Sequence, residues 1–365
     1  MRSTNGRLAS FWHYSMFSHL IGNEQVKQRL RHLLTAGRLP NSLLFAGDDG
    51  VGKQEFALEI ARFFVCRRPS GDAPCGVCSA CTRVGGFVIP PEPTDKNKDE
   101  FKKVFVGQHL DVGKVVKYKR TILVDSIRDL ERNANFQPYE AKARFFIVDE
   151  ADAMNAEASN ALLKTLEEPA PTSYIFLLTS RPDALLPTIR SRCQMLRFAP
   201  VEIEAIERFL IDEHTFSHDE ARLAARLSRG SVGRALAIRV EEFREQRAKM
   251  IEVVRNAITT ADNAAMIRFS EGLSDAKNKE RFEENLDILE SVIHDVWMLR
   301  HGGELSRIVN SDIAIGISEM AERAGRADLP SWLAAIEELR RNLAVNINRR
   351  VATDALFTTM AAGTG

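Results

Sequence analysis

The run Ser42-Leu43-Leu44-Phe45-Ala46-Gly47-Asp48-Asp49-Gly50-Val51-Gly52-Lys53-Gln54 decides the fold of this chain. Its first half is short, apolar and bounded by glycine, which is how a strand buried on both faces reads. Its second half matches G-x4-G-K, and FALEIARFF (56–64) then resumes a helical pattern. Strand, glycine-rich loop and helix, in that order, is the context in which such a loop cradles phosphate. Gly47, Gly50 and Gly52 let backbone N–H groups turn inward toward phosphate oxygens, Lys53 brings positive charge, and the helix N-terminus adds its dipole. Gln54 departs from the pattern, because a Ser or Thr hydroxyl is expected there to hold Mg²⁺. Asp48 and Asp49 add two acids where an incoming phosphate would be repelled.

Outward from that loop, strands and helices alternate. Residues 22–37 place Val26, Leu30, Leu33 and Leu34 on one helical face before Gly37 and Pro40 end the pattern. TILVDSIRDLERNANF (121–136) reads as a strand edge leading into a helix, ARFFIVDE (143–150) as a second buried strand, NAEASNALLKTLEE (155–168) as a helix stopped by Pro169, and SYIFLLTS (173–180) as a third buried strand. Such alternation implies an α/β domain whose parallel sheet is covered on both faces. The stretch at about 85–120, rich in proline early and in lysine throughout, reads as a surface loop or insertion. Its Lys102, Lys103, Lys114, Lys117, Lys119 and Arg120 are either solvated or available to DNA. From Pro200 onward the strand signal fades. GSVGRALAI (230–238) lies in a small helical region, while FEENLDILESVIHDVW (282–297) and WLAAIEELRRNLAVNINRRVATDALF (332–357) carry the periodicity of long bundle helices.

Two further stretches carry chemistry. Phe145 to Val148 form an apolar strand that ends in Asp149 and Glu150. Downstream of a phosphate loop, Asp149 is placed to hold magnesium through water and Glu150 to orient or deprotonate an attacking water. Asp152 reads as a helix N-terminal residue. Ser191-Arg192-Cys193 follows the third strand and a proline-containing loop. An arginine there can serve phosphoryl transfer in a neighbouring subunit, and Cys193 reads as a small buried residue.

The remaining four of the five cysteines, Cys66, Cys75, Cys78 and Cys81, stand as C-x8-C-x2-C-x2-C. With no secretory signal, this spacing reads as a tetrahedral zinc site and not as a disulfide framework. Sulfur fills all four positions, so the ion would be structural, with folding energy of about 10 kcal/mol available from it.

Composition sets the outer bounds. The 365 residues suggest two or three domains at about 100–200 each. Lys+Arg 50 against Asp+Glu 50 gives a formal net charge of 0, which argues against a chain whose main work is coating nucleic acid. No run of about 18 apolar residues marks a membrane span. The first fifteen residues make a poor signal peptide, and we expect a disordered extension over 1–15, a clean pattern from Met16, and a cytoplasmic protein.

Together, LPNSLLFAGDDGVGK, the four-cysteine loop, IVDEADAMNAEASNALLKTLEEP and LLPTIRSRC make the chain resemble the bacterial clamp-loader branch of the AAA+ ATPases over roughly 16–240. The resemblance implies an AAA+ domain over 16–199 with a zinc loop at 66–81, a helical lid over 200–241, and an all-α collar for oligomerisation over 242–365. It also implies a hetero-oligomeric ring of clamp-loader subunits that places a sliding clamp on primed DNA. Arg192 would then be an arginine finger reaching a neighbour's ATP. Thr179 or Ser180 lies where a polar residue senses the γ-phosphate, and Arg234 lies where the lid's sensing arginine belongs. Cys66, Cys75, Cys78 and Cys81 would hold the family's zinc. The family contains an ATP-hydrolysing motor subunit with an intact Lys-Thr loop, and a subunit with a degenerate loop that keeps the SRC arginine. Gln54 and LLPTIRSRCQ make this chain similar to the second. Lys53, Asp149 and Glu150 keep nucleotide binding open, while Gln54 speaks against magnesium-dependent hydrolysis and leaves Glu150 a vestigial base. The motor subunit, or another AAA+ DNA-processing ATPase, is the alternative.

Overall fold

The computed structural model describes residues 15–259, 263–274, 281–325, 327–344 and 348–362. Residues 1–14 of the expected extension lie outside them, and Met16 and Phe17 are already buried. The chain divides into two compact units. One comprises the residues up to Phe209 together with Arg229–Arg234, and the other Leu210–Ser228 together with the residues from Ala235 onward. The segment 200–241, expected as one lid, is thus shared between the two.

The first unit is built on a six-stranded sheet: β1 Ser42–Ala46, β2 Phe105–Val106, β3 Val112–Val115, β4 Arg144–Val148, β5 Ser173–Thr179 and β6 Gln194–Arg197, in the order β2-β3-β4-β5-β1-β6. All pairings are parallel except β2 with β3. Helices α1 (Glu24–Thr35), α2 (Lys53–Val65), α3 (Ser79–Arg83), α4 (Val124–Ala134), α5 (Ala156–Glu167) and α6 (Pro187–Arg190) connect the strands.

Strand alternation explains why the three apolar runs contain almost no polar residues. Leu43, Phe45, Phe145, Ile147, Phe176 and Leu178 face one layer, where Leu30 of α1 and Phe56 and Ile60 of α2 meet them. Leu44, Phe146, Val148, Ile175 and Leu177 face the other, against Ile127 and Leu130 of α4 and Leu162 of α5. With both faces covered, the central positions of each strand are apolar on both sides. Each such side chain contributes about 1.5–3 kcal/mol on burial. α5 starts where Asn155 Oδ1 accepts from the Ala158 amide at 2.9 Å, a cap that fixes its N-terminus.

Two expectations change and one strand is added. The stretch 85–120 is not wholly a surface loop, because it contributes β2 and the fully buried β3, which lies between β2 and β4. VGKV is too short for a period, and its glycine and lysine mask it. The glycine is a packing requirement, since a Cβ on Gly113 would stand 2.5 Å from Val104. The strand edge expected near 121 reduces to an isolated Ile122–Met154 bridge before α4. β6, beside β1, carried no sequence signal that we read.

The second unit is helical. Its helices include Val240–Thr259, Asn263–Ser274, Phe282–Arg300, Ala314–Arg323, Leu329–Ala344 and Arg349–Ala362. They bury Leu289, Ile293, Val296, Trp332 and Phe357 in one core. The run 332–357 is two helices and not one. Buried Arg247 forms a double hydrogen bond with Asp312, at 2.8 and 2.5 Å, which ties the loop before Ala314 to the long helix. Among the described residues, no helix is long and apolar enough to cross a membrane.

Candidate functional site

The phosphate loop leaves the C-terminal end of β1, where ligands of parallel sheets gather. Gly50 and Gly52 hold left-handed φ angles of 77° and 97°, and α2 begins at Lys53. The 229–234 segment packs directly on the loop. The Gly233 amide donates to the Gly50 carbonyl at 2.9 Å, and a Cβ on Gly50 would meet Ser231 Oγ at 2.2 Å. Arg234 follows at an exposed position, its amide donating to Ser231 Oγ. Lys53 is only 8% exposed and turns back on the loop: Nζ donates to the carbonyls of Gly47 (2.5 Å) and Asp48 (2.8 Å), with Asp49 at 3.7 Å. Burial pushes its pKa down, against the opposing pull of Asp49 and Asp149.

The acidic pair is committed to lysines that the sequence reading had left as solvated or DNA-facing. Lys114, on β3 and 9% exposed, donates to Gln54 Oε1 at 2.5 Å and pairs with Asp149 Oδ2 at 2.8 Å. Lys117 pairs with Glu150, whose backbone is left-handed at φ 47°. Two further lysines of this stretch pair with acids, Lys102 with Asp99 and Lys119 with Asp95. At the end of β5, Thr179 is buried and donates to Asp152 at 2.6 Å, while the Arg181 guanidinium grips the same carboxylate at 2.9 and 2.7 Å. Burial alone would raise the Asp152 pKa, but the hydrogen bonds from Thr179 and Arg181 bring it below the ordinary value. Asp152 therefore does more than begin a helix. Ser180 beside it is half-buried, and the Gly47 amide donates to the Thr179 carbonyl at 3.1 Å, so β5 and the phosphate loop adjoin.

Arg192 follows α6 at the rim. Its guanidinium pairs with Glu167 at 2.6 Å and donates to the Thr188 carbonyl at 2.9 Å. Both partners are exposed, so the contact is weak and exchangeable. Cys193 is buried, its thiol pushed up to about 12 by that burial.

The cysteine loop is a separate site. The sulfurs of Cys66, Cys75, Cys78 and Cys81 all lie within 4.8 Å of one another, with Cys66–Cys75 at 3.6 Å and Cys78–Cys81 at 3.5 Å. Zinc bound at about 2.3 Å to each of four tetrahedral sulfurs needs sulfur–sulfur edges of about 3.8 Å, so the residues fit a metal such as zinc. The amides of Cys75 and Cys78 donate to the sulfurs of Cys66 and Cys75, at 3.3 and 3.4 Å, which favours thiolates. Burial opposes the Cys78 thiolate, but the amides of Arg67 and Cys81 bring that thiol down to about 6. Glu140 clamps the loop from outside, binding Arg83 through two bonds (2.7 and 2.8 Å) and Arg67 at 3.0 Å. The Arg83 bonds hold the Glu140 carboxyl down to about 2.

With both sites described, the comparisons with known proteins are specific. A family model described as DNA polymerase III, delta subunit matches residues 22–202, which span the cysteine loop, the phosphate loop, both acidic residues and Arg192. The chain belongs to the DNA polymerase III clamp-loader family. The delta-prime subunit of Bacillus subtilis (strain 168) is 29% identical over 324 residues, covering 89% of this chain and 92% of that one. That of Escherichia coli (strain K12) is 28% identical over 331 residues, covering 88% and 89%. The tau subunit of the same Escherichia coli strain is 30% identical over 236 residues, covering 63% of this chain and 33% of tau.

Lys114, Lys117 and Arg181 are the site residues that the sequence reading missed. The available signal was a lysine inside the short apolar run VGKVV.

Proposed function

We propose that this clamp-loader subunit is of the delta-prime type: a member of a hetero-oligomeric ring that itself hydrolyses ATP weakly or not at all and lends Arg192 to a neighbouring ATPase subunit. Within the complex it would help place a sliding clamp on primer–template DNA in the cytoplasm. Structural zinc on Cys66, Cys75, Cys78 and Cys81 would hold the loop at 66–81. Thr179, Ser180 and Arg234 would mark the vestigial sensing positions, with Glu150 a vestigial base, 200–241 the lid and 242–365 the collar. One contrast carries the reading. Lys53 spends its charge on the carbonyls of its own loop, while Arg192 stands at the rim on partners it can exchange.

The test is Arg192→Ala in the reconstituted complex. An arginine finger is worth roughly 10³–10⁵ in rate at the site it serves, so the variant removes that site's share of DNA-stimulated ATPase while the subunit stays folded and assembled. Unchanged turnover rejects the role. The motor reading draws on the similarity to tau-type subunits, among them the Escherichia coli tau at 30% identity. Mg²⁺-dependent turnover by the purified chain, abolished by Lys53→Ala, would establish it instead.

A further inference from the structure

Phosphate-loop ATPases hold magnesium between the hydroxyl at the loop's eighth position and the aspartate that ends the acidic strand. In this chain those two places are Gln54 and Asp149, and an ammonium stands between them. Lys114 Nζ lies 2.5 Å from Gln54 Oε1 and 2.8 Å from Asp149 Oδ2. We propose that Lys114 is a resident cation that excludes the divalent ion from this loop, a reading that deepens the non-hydrolysing role proposed above.

The placement follows from the sheet. β3 and β4 are parallel with Lys114 opposite Ile147, so a four-carbon side chain reaches forward to Asp149, two residues farther along β4. An ion pair with Asp149 alone would satisfy a buried lysine. The second acceptor belongs to the first turn of α2, and it draws the ammonium into the gap between the two elements. A dication there would face the positive charge of a buried lysine and would have to displace it from both acceptors. Lys117, in the segment that follows β3, pairs with Glu150 at a more exposed position, so each acid of the pair has a lysine partner. The residues present therefore do not fit magnesium, and the misfit comes chiefly from Lys114 and not from the amide at position 54. Restoring a hydroxyl at 54 would leave the ammonium in place.

Mn²⁺ with ADP is the probe, followed by electron paramagnetic resonance of the free ion on the purified full chain. The wild type and Gln54→Thr should leave free Mn²⁺ at the level of a protein-free ADP solution. Lys114→Met should bind Mn²⁺·ADP at least tenfold more tightly than the wild type, while Lys114→Arg, which keeps the charge, should behave as the wild type. Saturable Mn²⁺ binding by the wild type that Asp149→Asn removes overturns the proposal. So does a tenfold gain in Gln54→Thr alone, and so does a folded Lys114→Met with no gain. The wild-type and Gln54→Thr arms decide even if Lys114→Met fails to fold. None of these outcomes depends on whether Arg192 supports ATPase in the complex, so the two readings fail separately.

Discussion

The four-cysteine loop and the phosphate loop are both recognisable from spacing, yet they meet their motifs differently. At the cysteine loop every ligand lies within the sixteen residues from Cys66 to Cys81, and the four sulfurs gather at edges close to those a tetrahedral ion requires. At the phosphate loop the glycines adopt the positive φ angles the motif anticipates, but the charges around them are spoken for. Lys53 bonds the loop carbonyls of Gly47 and Asp48, and Lys114 and Lys117 hold Asp149 and Glu150. A short closed motif carries its own chemistry with it. An open one leaves its chemistry to whatever the neighbouring strand supplies.

The largest test of that contrast is Cys81→Ser. The variant should lose bound zinc, which the wild type is expected to carry in one-to-one ratio. It should also lose a large part of the roughly 10 kcal/mol that such a site can contribute. Metal analysis and thermal melting measure both. A variant that melts like the wild type would mean that the loop holds without an ion, and the comparison would collapse.

A smaller effect is expected at the phosphate loop. Gly50→Ala forces a left-handed φ and sets a methyl 2.2 Å from Ser231 Oγ. It should cost about 1–3 kcal/mol, read as a lowered melting temperature and partly recovered by Ser231→Ala. A neutral substitution would show that the 229–234 segment does not press on the loop as described.

The smallest effect is a pH dependence of the cysteine loop's outer clamp. Arg83 holds the Glu140 carboxyl at about 2, below its ordinary 4.5. A depressed folded pKa adds stability that is complete above about 4.5 and is lost as the pH falls toward 2. Glu140→Gln should therefore lose stability at neutral pH and show a shallower decline on acidification. Melting curves at pH 7 and pH 4 check the sign. Parallel curves for the two proteins would remove Glu140 from the clamp.

Much of the fold was readable without coordinates. SLLFA, RFFIV and SYIFLLT must be strands covered on both faces, because each has an unbroken run of apolar residues with no polar alternation, and CGVCSAC must gather its thiols, because two C-x2-C steps leave them little choice. The spacing of Gly47, Gly50, Gly52 and Lys53 likewise fixes a strand–loop–helix corner through local backbone geometry alone. β3 was not legible, since four residues containing a glycine and a lysine show no period. Nor was the meaning of Lys114 and Lys117, which the sequence sets among solvated lysines. Only the parallel pairing of β3 with β4 carries Lys114 across sixty positions of chain to Gln54 and beside Asp149. Local pattern determines where backbone turns and which faces are buried, because those depend on neighbours a few residues away. Which charge neutralises which acid depends on sheet order and register, and these exist only once the strands are paired.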